Sequence, residues 1–212
     1  MPELPFFNSP NKWNTAKNWI VKNDPTFKSV VQKTGRQKIT LKKKRSPFEY
    51  LLRAIIFQQI TGNAAQTIHD NLLSLFPYKR PNPKYILKLS YEKLRSAGVS
   101  KNKALAIKDL SKFQLEGMVP GFSELSHWED EEIIEQLTAI RGIGRWTVQM
   151  LLIFQLGRPD ILPATDLGVR KGATLILGKK RDITIRELEN RAQHWAPYRS
   201  IASWYCWRAT EL

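Results

Sequence analysis

LTAIRGIGRWTVQM (137–150) is the stretch from which the rest of the chain is read. An apolar helical end, L-x-x-I, runs into Gly142 and Gly144, and a second helix opens at once with Arg145, Trp146 and Thr147. Glycines spaced this way permit a tight hairpin of positive φ angles that a Cβ would resist, and the reading expects such a φ at Gly144 in particular. A turn of this kind turns backbone N–H groups outward at the start of a helix, where the dipole also favours an anion. The segment is therefore read as a phosphate grip. An ordinary helix–turn–helix corner is the plainer alternative, and G-x-G alone does not exclude it.

Charge points the same way. The 212 residues hold 34 Lys and Arg against 19 Asp and Glu, a formal charge of +15, with a basic run LKKKR at 41–45. Such an excess suits a polyanion, and nucleic acid best. Cys206 is the single cysteine, so an intramolecular disulfide, a cysteine-ligated zinc site and an iron–sulfur cluster are excluded. His69, His127 and His194 are scattered without ligand spacing, and no metal site is expected. No apolar run reaches the roughly 18–20 residues that cross a bilayer. The start, MPELPFFNSPNKW, has no signal-peptide core. An intracellular protein without membrane contact is expected.

The remaining chain reads as capped helices. Ser46-Pro47 is an N-cap with proline at the first helical position. Phe48, Leu51, Leu52, Ile55 and Ile56 then form one apolar face. That helix breaks near Thr61-Gly62, Asn63 is read as the cap of the next, and Pro83, Ser90, Ser100 and Glu129 open others. Arg145 to Leu156 follows the hairpin, a helix begins at or after Asp166, and 185–195 and 198–208 complete the set. Only QKITLK (37–42) alternates as a strand or extended arm would. The fold class is all-α.

Beyond the hairpin, RAIIFQQITGNAA (53–65), LRSAGVSKNKALAIKDL (94–110), ILPATDLGVRKG (161–172) and WAPYRSIASWYCWR (195–208) follow in order. Together these segments resemble the helix-hairpin-helix DNA glycosylase superfamily, most closely its 3-methyladenine DNA glycosylase II and yeast-type alkylbase members. The resemblance implies two closely packed helical subdomains with a DNA-binding cleft between them, one over 46–157 and one built from 1–45 with 158–212. It implies a hydrolase of base-excision repair that removes alkylated purines from double-stranded DNA, a monomer, nuclear in a eukaryote.

It also assigns roles. Asp166, which on its own would be read as a helix N-cap, falls at the catalytic aspartate, where a carboxylate can stabilise an oxocarbenium-like sugar and orient water. Trp146 occupies the place where relatives that also cut the strand carry a lysine nucleophile, so no Schiff base can form there. Trp146 and Trp207 become base-pocket candidates, since an indole face attracts a cationic alkylated purine. Trp195 and Trp204 are read as core. Gln59 matches the residue that fills the gap left by an extruded nucleotide, with Ile60 as a wedge and Thr61 beside it. Gly142, Ile143, Gly144 and Thr147 complete the DNA-binding set. No cofactor is expected, and the hairpin carbonyls are the one place where a monovalent cation could sit. A relative that clamps damaged or abasic DNA with little turnover is the rival reading, because Thr165 stands where close relatives often carry a second acid.

Overall fold

The computed structural model describes Phe7, residues 10–41 and residues 45–212. Lys42, Lys43 and Lys44 of the basic run, and with them the end of the alternating segment, lie outside these residues. The described chain is helical: α1 (Pro10–Asn23), α2 (Lys28–Thr34), α3 (Pro47–Phe57), α4 (Gly62–Ser74), α5 (Pro83–Lys88), α6 (Tyr91–Ser96), α7 (Lys101–Leu115), α8 (Phe122–Leu125), α9 (Asp130–Thr138), α10 (Arg145–Leu151), α11 (Leu167–Ile176), α12 (Ile185–Ala192) and α13 (Arg199–Ala209). Residues Leu152–Leu156 follow α10 as a π-helical segment. Residues 37–41 are neither helix nor strand, although Ile39 is buried. The expected alternation there reflects one anchored apolar side chain in an irregular segment. None of the described helices is long and apolar enough to cross a membrane.

The chain divides into two compact units, Lys43–Leu151 and the pair Met1–Lys42 with Leu152–Leu212. In the first of these, α3 begins with a reciprocal capping box. Ser46 Oγ accepts from the Glu49 N–H and the Glu49 carboxylate accepts from the Ser46 N–H, with Pro47 at the helix start. Pro47, Phe48, Leu51, Leu52, Ile55 and Ile56 are all buried, so the predicted face is the buried one. Each such side chain contributes about 1.5–3 kcal/mol when taken from water. α7 lies against both α3 and α5. Asn63 is not a cap: α4 starts at Gly62, and Thr61 holds the N-cap position without a side-chain hydrogen bond. Gly62 already adopts helical geometry, which moves the boundary ahead of the residue type that prefers it.

The second unit contains two helices that the sequence reading did not foresee, α1 and α2. Their apolar spacing was present, since Trp13, Ala16 and Ile20 are all buried, but polar residues between them diluted it. Asp24, wholly buried after α1, ties this segment to the C-terminal helices. It accepts from Arg191 Nε (2.8 Å) and Nη2 (2.5 Å), from Trp195 Nε1 (2.8 Å) and from Thr26 Oγ1 (2.6 Å). Burial alone would push the Asp24 carboxyl up. The Arg191, Thr26 and Trp195 hydrogen bonds and the Arg191 charge outweigh it and hold the carboxyl below its usual range.

α11 and α13 share the most extensive helix contact among the described residues of the unit. A Cβ built on Gly172 would fall 1.8 Å from the Cys206 carbonyl oxygen, so only glycine allows these two backbones to meet. Cys206 is fully buried at this crossing, and burial pushes its thiol far up, which leaves it inert.

Gly172→Ala must therefore separate two backbones, and a stability loss of about 3 kcal/mol or more is expected, at or above the upper end of ordinary overpacking. Urea unfolding measures it. Because the folded Asp24 pKa lies below the unfolded one, its contribution is complete above the unfolded value of about 3.9 and is lost as pH falls through the folded one. Asp24→Asn should cost about 1–3 kcal/mol at pH 7 and progressively less in acid. A deficit that stays constant between pH 7 and strongly acidic solution would contradict this.

Candidate functional site

The site residues fall into one group in each unit. In Lys43–Leu151, the hairpin between α9 and α10 is built on side chains as well as glycine. Gly142 takes the left-handed φ of +78°. A Cβ there would stand 3.1 Å from the Ala106 Cβ, so another residue would meet both backbone strain and a tight contact. Gly144, expected to share the positive φ, does not, and a Cβ on it would meet nothing within 4 Å. The turn needs one left-handed residue, because the Ile143 N–H returns to the Ile140 carbonyl (3.0 Å) and Gly144 already leads into α10. Gly144 instead leaves the outer surface of the turn bare.

Asp109 Oδ2 accepts from the Arg141 N–H (2.8 Å), and Gln58 Nε2 donates to the Gly142 carbonyl (2.9 Å), so both limbs of the turn are braced. Arg145, at the head of α10, pairs with Glu131. Ile143 is buried, which leaves only its backbone for any ligand. Thr147 is buried too, and its N–H is spent on the Gly144 carbonyl (2.9 Å). It packs the turn from inside. Trp146 is 46% exposed. The Ile140 and Gly142 carbonyls already accept hydrogen bonds, and among the described residues no cluster of His, Cys, Asp or Glu could hold a metal ion.

The loop between α3 and α4 carries Gln59, Ile60 and Thr61, all exposed. Gln59 has a φ of +58°, a left-handed conformation that a non-glycine residue seldom adopts. Strain of this kind persists only where neighbours impose it.

In the other unit, Asp166 is the N-cap of α11. Its Oδ1 accepts from the Val169 N–H (2.8 Å) and from Trp207 Nε1 (3.0 Å). The cap reading is thus realised, and the bond that starts the helix also fixes the direction of the carboxylate. Trp207, on α13, turns its N–H edge to Asp166 and lies tilted against Phe154, with ring centroids 5.7 Å apart. Gly168 makes this possible: a Cβ there would be 2.9 Å from Trp207 Cδ1 and 3.1 Å from Asp166 Oδ1. Gly168 and Gly172 are one turn apart on the same face of α11. Sequence reasoning passed over both, although the G-x-x-x-G spacing was the available signal. Thr165, beside Asp166, is exposed. Trp195 and Trp204 are buried, as expected of core residues.

Comparison with known proteins bears on both groups. Residues 52–197 match the family model described as HhH-GPD superfamily base excision DNA repair protein. The chain is similar to DNA-3-methyladenine glycosylase 1 of Schizosaccharomyces pombe, at 34% identity over 191 residues, 89% of this chain and 84% of that one. It is similar to the alkylbase DNA glycosidase-like protein mag2 of the same yeast, at 31% over 202 residues, 94% and 95% of the two chains. The solved structure of the S. pombe 3-methyladenine DNA glycosylase Mag1 in complex with abasic DNA superposes with a TM-score of 0.81, covering 93% of this chain and 97% of that one. A DNA-3-methyladenine glycosidase from Bacillus halodurans gives 0.83 at 33% identity, covering 95% and 89%.

Gly168→Ala should push the Trp207 indole off Asp166. In a nitrogen–proton spectrum, the Trp207 indole cross-peak is expected to move in Gly168→Ala and in Asp166→Asn, while that of Trp195 stays in place. An unmoved Trp207 peak in both variants would remove the hydrogen bond from the description of the site.

Proposed function

The chain belongs to the HhH-GPD superfamily of base excision DNA repair proteins, and from that membership we propose that it is a monofunctional alkylbase DNA glycosylase. It hydrolyses the N-glycosidic bond of purines of the 3-methyladenine and 7-methylguanine type in duplex DNA, and it works as a monomer, in the nucleus where the cell has one. The observation that carries this reading is the Asp166 carboxylate, oriented by the Val169 N–H and by Trp207 Nε1.

Alkylation at N3 or N7 leaves the purine positively charged, so it departs as a neutral base and needs no strong general acid. As the C1′–N bond stretches, positive charge builds on the deoxyribose. A fixed carboxylate stabilises that charge without having to reorganise, an effect typically worth about 3–4 kcal/mol. Water then adds its oxygen to C1′ and gives up a proton, with Asp166 oriented to accept it, leaving an abasic site. Trp207 offers indole surface to the cationic base, an attraction of about 0.5–2 kcal/mol. Trp146 supplies no amine, and Arg145, a guanidinium, stays protonated. The product strand is therefore left uncut.

The hairpin at Gly142–Gly144 takes backbone phosphates, and the excess of Lys and Arg adds counterion-release affinity to it. Gln59 fills the space of the extruded nucleotide and Ile60 wedges the adjoining step. A second reading, binding of damaged or abasic DNA with little turnover, draws support from Thr165, an uncharged residue next to the Asp166 carboxylate, and from the similarity to a relative described as glycosidase-like.

Incubation of the protein with methylated DNA, with released bases resolved by chromatography, should show methylated purines for wild type. Asp166→Asn should slow release by about 10²–10³-fold while duplex affinity is kept. Borohydride should trap no covalent adduct with abasic DNA. Equal release by both proteins would remove Asp166 from the chemistry, and a trapped adduct would end the monofunctional reading. Tight abasic binding with no release by wild type would select the second one.

A further inference from the structure

The strained tip at Gln59 has a support of its own. Lys103, in the first turn of α7, directs its ammonium at the C-terminal end of α3 and donates to the Ile56 carbonyl (2.7 Å) and the Gln58 carbonyl (3.0 Å). These carbonyls lie where α3 has run out of its own N–H donors. A cation there also complements the negative end of the helix dipole. Lys103 is half-buried, and desolvation lowers its pKa below the usual lysine value. Gln58 is extended, with φ −66° and ψ 135°, and its side-chain amide reaches the Gly142 carbonyl. Gln59, next in the chain, is the residue at φ +58°. One residue thus has its backbone oxygen held by Lys103 and its side chain held on the hairpin, and the left-handed residue follows immediately.

We propose that Lys103 is the positioning residue of the Gln59 plug and that Gln58 couples this plug to the hairpin. The ammonium secures the end of α3, so the following peptide can leave the helix only in the direction that presents Gln59 outward. The Gln58 bridge sets that exit against Gly142, so that the hairpin and the plug meet the duplex as one rigid piece. Lys103 then acts on lesion discrimination and not on phosphate contact, because its ammonium is directed at carbonyl oxygens of the loop. This rests on the reading of Gln59 as the plug.

The test uses the full chain with two labelled duplexes, one intact and one holding a tetrahydrofuran abasic analogue opposite 2-aminopurine. Lys103→Met keeps the length of the side chain and removes the donor. It should lower the preference for abasic over intact duplex by roughly tenfold or more, the size of one charge-assisted hydrogen bond. It should also diminish the 2-aminopurine fluorescence change, and Lys103→Arg should restore both. Gln58→Met, which leaves the α3 cap in place, should reduce the preference too. The slope of log affinity against log salt should match wild type in all three variants.

Gln59→Ala separates the two levels of inference. If it keeps the wild-type preference, the plug reading itself fails. If Gln59→Ala loses the preference while Lys103→Met keeps it, the positioning role fails alone. A salt slope shallower by about 0.9 in Lys103→Met would make Lys103 a phosphate contact and overturn the proposal. Equal weakening on both duplexes, with a lowered thermal midpoint, would assign it a structural role only and overturn the proposal as well.

Discussion

The placing of Asp166 beside Trp207 depends on the contact of α11 with α13 at Gly172, where a single methyl group would collide with the Cys206 carbonyl. Two helices that touch through backbone hold the side chains one turn away at nearly invariant separation. On α11 that turn leads to Gly168 and then to the cap residue Asp166. On α13 the next residue after Cys206 is Trp207. The hydrogen bond between the last two, 3.0 Å from Nε1 to Oδ1, follows from this approach. A carboxylate fixed in this way has the preorganisation that the proposed electrostatic role requires.

The other unit obtains rigidity by a different route. The loops that carry its candidate site residues are short and bend sharply, so their backbone groups cannot all be satisfied by helical ladders. Polar side chains from neighbouring helices take the remaining ones: Asp109 on the Arg141 N–H, Gln58 on the Gly142 carbonyl and Lys103 on the last oxygens of α3. Each bond meets a need that burial or curvature has created, and an unmet buried group would cost about 1–3 kcal/mol. The positive φ of Gln59 stands beside two of these supports. Strain and bracing occur together because the second makes the first tolerable.

Much of this could be read along the chain. The Ser46 cap, the apolar face of α3, the helix openings at Pro83, Ser90, Ser100 and Glu129, and the left-handed turn at Gly142 are local patterns, and each was realised. Gly144 and Asn63 were misjudged for a related reason. Both residue types suit the conformations expected of them, but the hydrogen bonds of the surrounding turn placed those conformations elsewhere. α1 and α2 went unseen because a few apolar residues among many polar ones carry little signal until Asp24 and its partners reveal what they pack on.

What the sequence alone determined is what short-range physics dictates: helical class, caps, the apolar periodicity, the hairpin and the charge that suits a polyanion. Local spacing suffices for these because each is settled within a turn or two of the chain. The tertiary structure decided which residue holds which. That Trp207 orients Asp166, that Gly168 and Gly172 are there for clearance, and that Lys103 faces the end of α3 are facts about residues 34 to 47 positions apart. No local pattern encodes such pairs, because hydrogen-bond geometry and steric clearance are set only when separate helices have packed.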